Sequence, residues 1–147
     1  MNYQIAKELF ANAEQEFSKA QEELARPSSD VVNYAVCLSA RSALHHYLNC
    51  LYTLYTYENN DTREENLTVK ELADRCRKYD DKVKEIDFSC MHCQNKDVLS
   101  DAEIFFCEDV NQVMACNNVA KQIRELIADK VKNSENQTWF FDTTHSS

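Results

Sequence analysis

An arginine and two histidines lie within six residues of each other, in the segment RSALHH at positions 41–46. A histidine can act as the general base that activates a ribose 2′-hydroxyl, and an arginine can stabilise the phosphorane that forms during RNA cleavage. Arg41 and His46 are therefore a candidate catalytic pair. On a helix, residues five apart point about 140° away from each other, whereas Arg41 and His45, four apart, share a face. The catalytic pair can therefore form only if two chains meet along this helix.

Polar and aromatic residues around this segment are candidates for binding a nucleotide or a partner protein. A helical wheel places a narrow polar strip on the segment, and it consists of Ser39, Ser42, His46, Asn49 and Thr53. We take Ser42, His45, Tyr47 and Asn49 as the candidate binding residues. Tyrosines can stack on nucleotide bases. At this density they more often fill a core or a dimer interface, and we favour that interpretation over base stacking.

The segment CMHC at positions 90–93 contains a second set of residues with metal-ligating chemistry. Cys90, His92 and Cys93 offer thiolate and imidazole ligands, but a single C-x-x-C pair supplies only half of a tetrahedral zinc site. The sequence contains no second C-x-x-C pair and no strand-led thioredoxin context that would indicate redox function. We favour ordinary thiols over zinc or redox chemistry, and we expect no metal and no cofactor.

The composition limits the classes of protein that this chain can belong to. The 147 residues include no glycine and one proline, Pro27. Glycine-rich phosphate loops and dinucleotide fingerprints are excluded, because both need glycine for close backbone approach. A β-rich fold would also need glycine in its turns, so the sequence predicts an all-α protein. The net charge of −9 disfavours a general surface for RNA or another polyanion.

Two further features predict a cytoplasmic chain. The N-terminus, MNYQIAKELF, is charged from the start and has no signal-peptide pattern. The most apolar segment, residues 31–57, contains Arg41, His45 and His46, so it is not expected to span a membrane. In a reducing compartment the seven cysteines are expected to be free thiols that pack as small apolar side chains.

Apolar residues at spacings of three and four predict four helices. The first follows the stripe from Tyr3 to Leu24, and the second covers residues 31–57 and forms the centre of the fold. The third is predicted at 68–86, with a capping box of Thr68 and Glu71 and a break near Asp80–Asp81. An irregular loop comes next, and the fourth helix begins with a capping box at Ser100 and Glu103. We predict a four-helix up-down bundle over residues 1–133 and a tail over 134–147.

The second helix, VVNYAVCLSARSALHHYLNCLYTLY, resembles the second helix of HEPN domains, with Ala40, Ala43, Leu44, Leu48 and Leu51 at the corresponding places. The last helix, EDVNQVMACNNVAKQIRELIADKV, is similar to the closing helix of the same family. The resemblance implies a helical bundle that often dimerises. It also implies a place in toxin–antitoxin pairs, beside minimal nucleotidyltransferases or among nucleases.

Nuclease members of the family resemble one another in an arginine that is followed four to six residues later by a histidine. This motif acts without a metal and across the dimer, and Arg41 and His46 match its spacing. Ser42 stands where the family often has Asn, Asp or His, and many nucleases carry the motif on a later helix. We therefore expect a non-catalytic, dimeric HEPN-like module that binds a partner or a nucleotide. The alternative is a HEPN-type ribonuclease that uses Arg41 and His46.

Overall fold

The computed structural model describes residues 3–27, 33–88 and 110–132, and within these ranges the chain is helical with no strand. The helices are α1 (Tyr3–Leu24), α2 (Asn33–Glu58), α3 (Val69–Tyr79), α4 (Asp81–Lys84) and α5 (Val110–Lys132). The prediction of an all-α chain is confirmed for this part. The CMHC segment, the capping box at Ser100 and Glu103, and the tail all lie outside the described residues.

Helix α2 is the centre of the fold, as its apolar sequence predicts, because α1, α3 and α5 all pack on it. Its fully buried side chains include Leu44, Tyr47, Leu48, Leu51 and Leu54. Phe10 of α1 and Ile123 and Ile127 of α5 complete the main core. A small second cluster closes one end of the bundle, and it consists of Ala20, Val36, Cys37 and Val113 with Leu24.

The contacts along α2 give the direction of each neighbouring helix. Helix α1 is antiparallel to α2, since Ala20 packs near the start of α2 while Glu14 reaches Tyr47. Helix α5 is parallel to α2, since Val113 lies at the start of α2 and Lys130 pairs with Glu58 at its end. These two directions agree with the predicted up-down order.

Helix α3 departs from that order, because it runs in the same direction as α2. Leu67, just before α3, contacts His45, whereas Asp80, just after α3, contacts Tyr55 ten residues further along α2. The return path is made by residues 61–67, which we call the strap. This segment lies along α2 in the opposite direction. The antiparallel return that the up-down prediction expected of α3 is therefore made by the strap.

Two local signals end α2 and begin α3. Asn60 adopts a left-handed conformation with φ 55°. Its N–H donates to the carbonyl of Tyr57 and the N–H of Asp61 donates to the carbonyl of Thr56, at 3.3 and 2.9 Å. This is a Schellman cap, in which asparagine replaces the usual glycine. At the start of α3 the predicted capping box of Thr68 and Glu71 is confirmed, with both hydrogen bonds present.

Asp80 produces the break that the sequence predicts between α3 and α4. Its backbone N–H donates to the carbonyl of Cys76 and so ends α3, while its carboxylate accepts from the N–H of Lys82 and so begins α4. The hydroxyl of Tyr55 also donates to this carboxylate at 2.7 Å. Burial opposes ionisation of Asp80, but these hydrogen bonds outweigh it and lower the pKa of the carboxyl group.

The interface between α2 and α3 is closed by a thiol and an aromatic pair. The Cys76 thiol donates to the carbonyl of Leu48 at 3.8 Å, and both residues are fully buried. The rings of Tyr55 and Tyr79 stack with their centroids 5.3 Å apart.

No helix in the described part of the chain is long and apolar enough to cross a membrane.

Candidate functional site

The polar strip of α2 is covered by the strap over its C-terminal half. Arg63 enters this half from the strap, and its Nε donates to the hydroxyl of Thr53 at 2.7 Å. One terminal nitrogen of the same guanidinium donates to the amide oxygen of Asn49 at 2.9 Å. Thr53 is fully buried as a result, and its hydroxyl donates on to the carbonyl of Asn49. Asn49, predicted as a binding residue, is thus engaged within the chain.

His45 is also used to hold the strap. Its Nε2 lies 3.0 Å from the carbonyl oxygen of Leu67, the last residue of the strap. Because a carbonyl oxygen only accepts, Nε2 must carry the proton and donate. His45 therefore fastens the end of the strap to the middle of α2, and this contact accounts for its half-buried position.

His46 is oriented by its own helix. Its Nδ1 lies 2.8 Å from the backbone carbonyl oxygen of Ser42 and 3.5 Å from the hydroxyl of the same residue. The carbonyl contact places the proton on Nδ1, so in the neutral ring Nε2 is the nitrogen that can accept a proton. The ring also meets that of His45 edge-on, with the centroids 5.8 Å apart. The structure thus brings Ser42, His45 and His46 together.

Arg41 differs from the other five arginines of the chain, all of which lie in the described ranges. Each of those five is paired with a carboxylate: Arg26 with Glu23, Arg63 with Glu65, Arg75 with Glu64, Arg77 with Asp74, and Arg124 with Glu14. Arg41 is half-buried, yet it has no hydrogen bond or ion pair within the described part of the chain. Leu38, one turn earlier, is 40 % exposed.

Arg41 and His46 do not meet within one chain. The only side-chain partners of His46 among the described residues are Ser42 and His45, and Arg41 has none. This separation agrees with the angle expected for residues five apart on a helix. Chemistry that needs both side chains at one reacting phosphate therefore requires a second chain.

Tyr47 lies in the core and not on a ligand-accessible surface. It is fully buried between Phe10 and Phe17 of α1, with ring centroids at 5.7 and 6.1 Å. Its hydroxyl donates to the Glu14 carboxylate, which also receives two hydrogen bonds from Arg124 at 2.5 and 3.1 Å. Burial, and then the Glu14 hydrogen bond and charge, raise the pKa of Tyr47 well above its usual range. The tyrosine thus joins α1, α2 and α5.

The interactions that matter most around α2 were not anticipated from the sequence. Arg63 stands in a polar loop without periodicity, so nothing in the sequence distinguishes it from its neighbours. Glu14 and Arg124 occupy the polar margins of helices that are far apart in the chain, as do Gln21 and Asn117, whose amides are 2.7 Å apart. The Oδ1 atom of Asn117 is buried without a partner in the described structure.

An open cleft of about 230 Å³ lies at the other end of the bundle, between α4 and the last turns of α5. Its lining consists of Asp80, Lys82, Leu126, Asp129 and Lys130. Lys130 is already engaged, because its ammonium contacts Glu58 at 2.7 Å and lies 4.5 Å from the centre of the Tyr55 ring. The two acidic and two basic groups balance each other, so the cleft has no net charge that would select an ion.

Metal-ligating chemistry is not assembled in the described part of the chain. No group of three or more His, Cys, Asp or Glu side chains there is placed to hold a metal ion. Cys37, Cys50, Cys76 and Cys116 are buried and form no disulfide bond within the described residues, as expected for apolar packing. Cys90, His92 and Cys93, the weak metal candidates, lie outside the described residues.

Comparison of the chain with protein-family models, with curated proteins and with solved structures gave no match.

Proposed function

We propose that this chain is a HEPN-like helical interaction module that dimerises and binds a nucleotide or a partner protein without catalysis. The observation that supports it is the contrast between Arg41 and the other arginines. A half-buried guanidinium beside the exposed Leu38 lacks a carboxylate in the described structure, although acidic residues outnumber basic ones in the chain by 25 to 16. Such a cation is available to a phosphate or to a carboxylate of another chain.

The proposed binding surface is the N-terminal half of the outer face of α2, formed by Leu38, Arg41, Ser42 and His46. It combines one apolar side chain, one unpaired cation and two hydrogen-bonding groups, which is the combination expected at the centre of a modest interface. The resemblance to HEPN domains adds a homodimer and a role in a toxin–antitoxin or nucleotidyltransferase-linked system.

Sedimentation analysis combined with nucleotide titration tests this proposal. We expect the purified chain to be dimeric at micromolar concentration or to bind ATP, and Arg41→Ala to weaken either association about tenfold or more, as for loss of a charge-assisted hydrogen bond. Arg26→Ala is the matched control, since Arg26 follows the end of α1 and pairs with Glu23 three residues earlier. A wild-type monomer that binds no nucleotide, or an Arg41→Ala variant that associates normally, contradicts the proposal.

The orientation of His46 favours the alternative function, a ribonuclease. The hydrogen bond from Nδ1 of His46 to the Ser42 carbonyl leaves Nε2 as the basic nitrogen, which is the form a general base requires. An RNA-degradation assay on the wild type, Arg41→Ala and His46→Ala tests this alternative, with Arg26→Ala as the control. Cleavage that is lost in both variants while folding is unchanged supports the ribonuclease over the non-catalytic module.

A further inference from the structure

The strap is attached to the bundle almost entirely by polar contacts. No residue from position 58 to position 71 is fully buried, and only Leu67, the last residue of the strap, and Val69, just after it, pack partly against the core. A segment with little buried apolar area opens at low free-energy cost compared with the core of the same protein. The cost of lifting the strap is therefore set by a few hydrogen bonds and not by hydrophobic burial.

Arg63 supplies the two hydrogen bonds that join the strap to the polar strip of α2, while Tyr79, Arg75 and His45 hold Asp61, Glu64 and Leu67. Its side chain is 19 % exposed and reaches Thr53, Asn49 and the carboxylate of Glu65, the last at 3.5 Å. The backbone N–H of the next residue, Glu64, donates to the hydroxyl of Tyr52 at 2.9 Å. Withdrawal of this one arginine would uncover both Asn49 and Thr53, because it is the side chain that bonds to both of their polar groups.

The backbone changes direction at both ends of the strap through asparagine. Asn60 and Asn66 have φ values of 55° and 61°, and they are the only non-glycine residues with positive φ in the described part of the chain. A left-handed conformation costs free energy for any residue with a Cβ atom, so positions of this kind concentrate where the backbone absorbs a conformational change. The two asparagines are thus natural hinge points for residues 61–65.

We propose that the strap is a latch that opens as one unit between Asn60 and Asn66, with the Arg63 side chain as its bolt. Opening makes the polar strip of α2 continuous from Ser42 through Asn49 to Thr53. It also moves the charged residues Asp61, Arg63, Glu64 and Glu65, with a net charge of −2, away from that strip, so an anion approaches the open strip more easily than the closed one. The effect on ligand binding rests on the proposed function, whereas the opening itself does not.

The amide of Glu64 reports the latch directly, because its hydrogen bond to Tyr52 exists only when the strap is closed. Hydrogen exchange followed by NMR on the full chain is the test. We expect the Glu64 amide to exchange faster than the α2 core amides near Leu48. Arg63→Ala should accelerate it roughly tenfold further without changing those core amides, as for the loss of one strong charge-assisted hydrogen bond.

Arg26→Ala is the control and should leave the Glu64 amide unchanged. If Arg63→Ala does not fold, Arg63→Lys keeps the charge, loses the two-point contact, and should give a smaller acceleration in the same direction. A Glu64 amide as slow as the α2 core, or one that neither Arg63 variant accelerates, overturns the latch. Because no ligand enters this experiment, its outcome is independent of whether the chain dimerises or binds a nucleotide.

Discussion

The polar side chains in the two halves of the solvent-facing side of α2 differ in whether the chain itself supplies their hydrogen-bond partners. The C-terminal half carries Asn49 and Thr53, and Arg63 comes from the strap to satisfy both. The N-terminal half carries Arg41 and Leu38, and the described structure places no polar partner on that arginine. The polar groups of the C-terminal half therefore have their partners within the chain, whereas Arg41 in the N-terminal half has none in the described structure. The difference shows that the polar character of a helix face does not by itself identify a binding site.

The largest effect that tests this comparison is on stability, when leucine is replaced by alanine at a buried and at an exposed position of α2. Leu48→Ala should lower the free energy of unfolding by about 2–5 kcal/mol, because Leu48 is fully buried beneath α3. Leu38→Ala removes the same atoms from a side chain that is 40 % exposed, and it should change stability by about 0.5 kcal/mol or less. Urea unfolding measures both. Similar losses at the two positions would show that Leu38 is covered in solution.

The two arginines give the next largest difference. Arg63→Ala should cost about 1–2 kcal/mol of stability, because its charge-assisted hydrogen bonds to α2 are lost. Arg41→Ala should stay within about 0.5 kcal/mol, since no interaction in the described structure disappears. Urea unfolding of dilute protein, below the concentration at which chains associate, is the measurement. A loss at Arg41 equal to that at Arg63 would mean that both halves of the face are completed within the chain.

A smaller effect is expected at the hinge of the strap. Asn60→Ala should destabilise the protein by about 1 kcal/mol relative to Asn60→Gly, because alanine tolerates the left-handed conformation poorly and glycine adopts it freely. Thermal unfolding of the two variants under identical conditions gives the difference. If alanine is tolerated as well as glycine, then the Schellman cap does not hold the beginning of the strap in solution.

The smallest effect is a pH dependence at Asp61, the first residue of the strap. The Tyr79 hydroxyl donates to Asp61 at 2.5 Å, and this hydrogen bond raises the pKa of Tyr79 from 10.0 to about 12. The neutral form is thus favoured in the folded state. Its contribution to stability is complete below pH 10 and is lost as the pH rises from 10 to 12. Urea unfolding across this range should show a shallower decline in Tyr79→Phe than in the wild type, and an unchanged slope would contradict the assignment.

The sequence predicts the local features of this fold well because their causes are local. Apolar spacing indicates the helices, the Thr68–Glu71 pattern marks the start of α3, and adjacent aspartates mark its end. The direction of α3 could not be predicted, since a polar loop carries no signal that it will lie back along α2. The Glu14–Arg124 pair joins residues 110 positions apart, and no spacing rule reports such a contact.

The candidate site shows the same division. The divergence of Arg41 and His46 follows from the geometry of one helix, and the structure agrees with it. Tyr47, also predicted as a binding residue, is fully buried between aromatic rings of α1. The engagement of Asn49 and His45 depends on where the strap lies, so their polar character alone suggested a binding role for residues that the chain itself uses.

The Cys76 thiol, enclosed between α2 and α3, has a chemical consequence for the whole protein. Burial raises its pKa to about 12, so at pH 8 only on the order of one thiol in 10⁴ is the reactive thiolate. Burial likewise raises the pKa of Cys50 well above its usual range. Oxidants and alkylating reagents can therefore attack these sulfurs at an appreciable rate only after α3 has separated from α2. The packing of α3 on α2 thus also protects the buried thiols from oxidation.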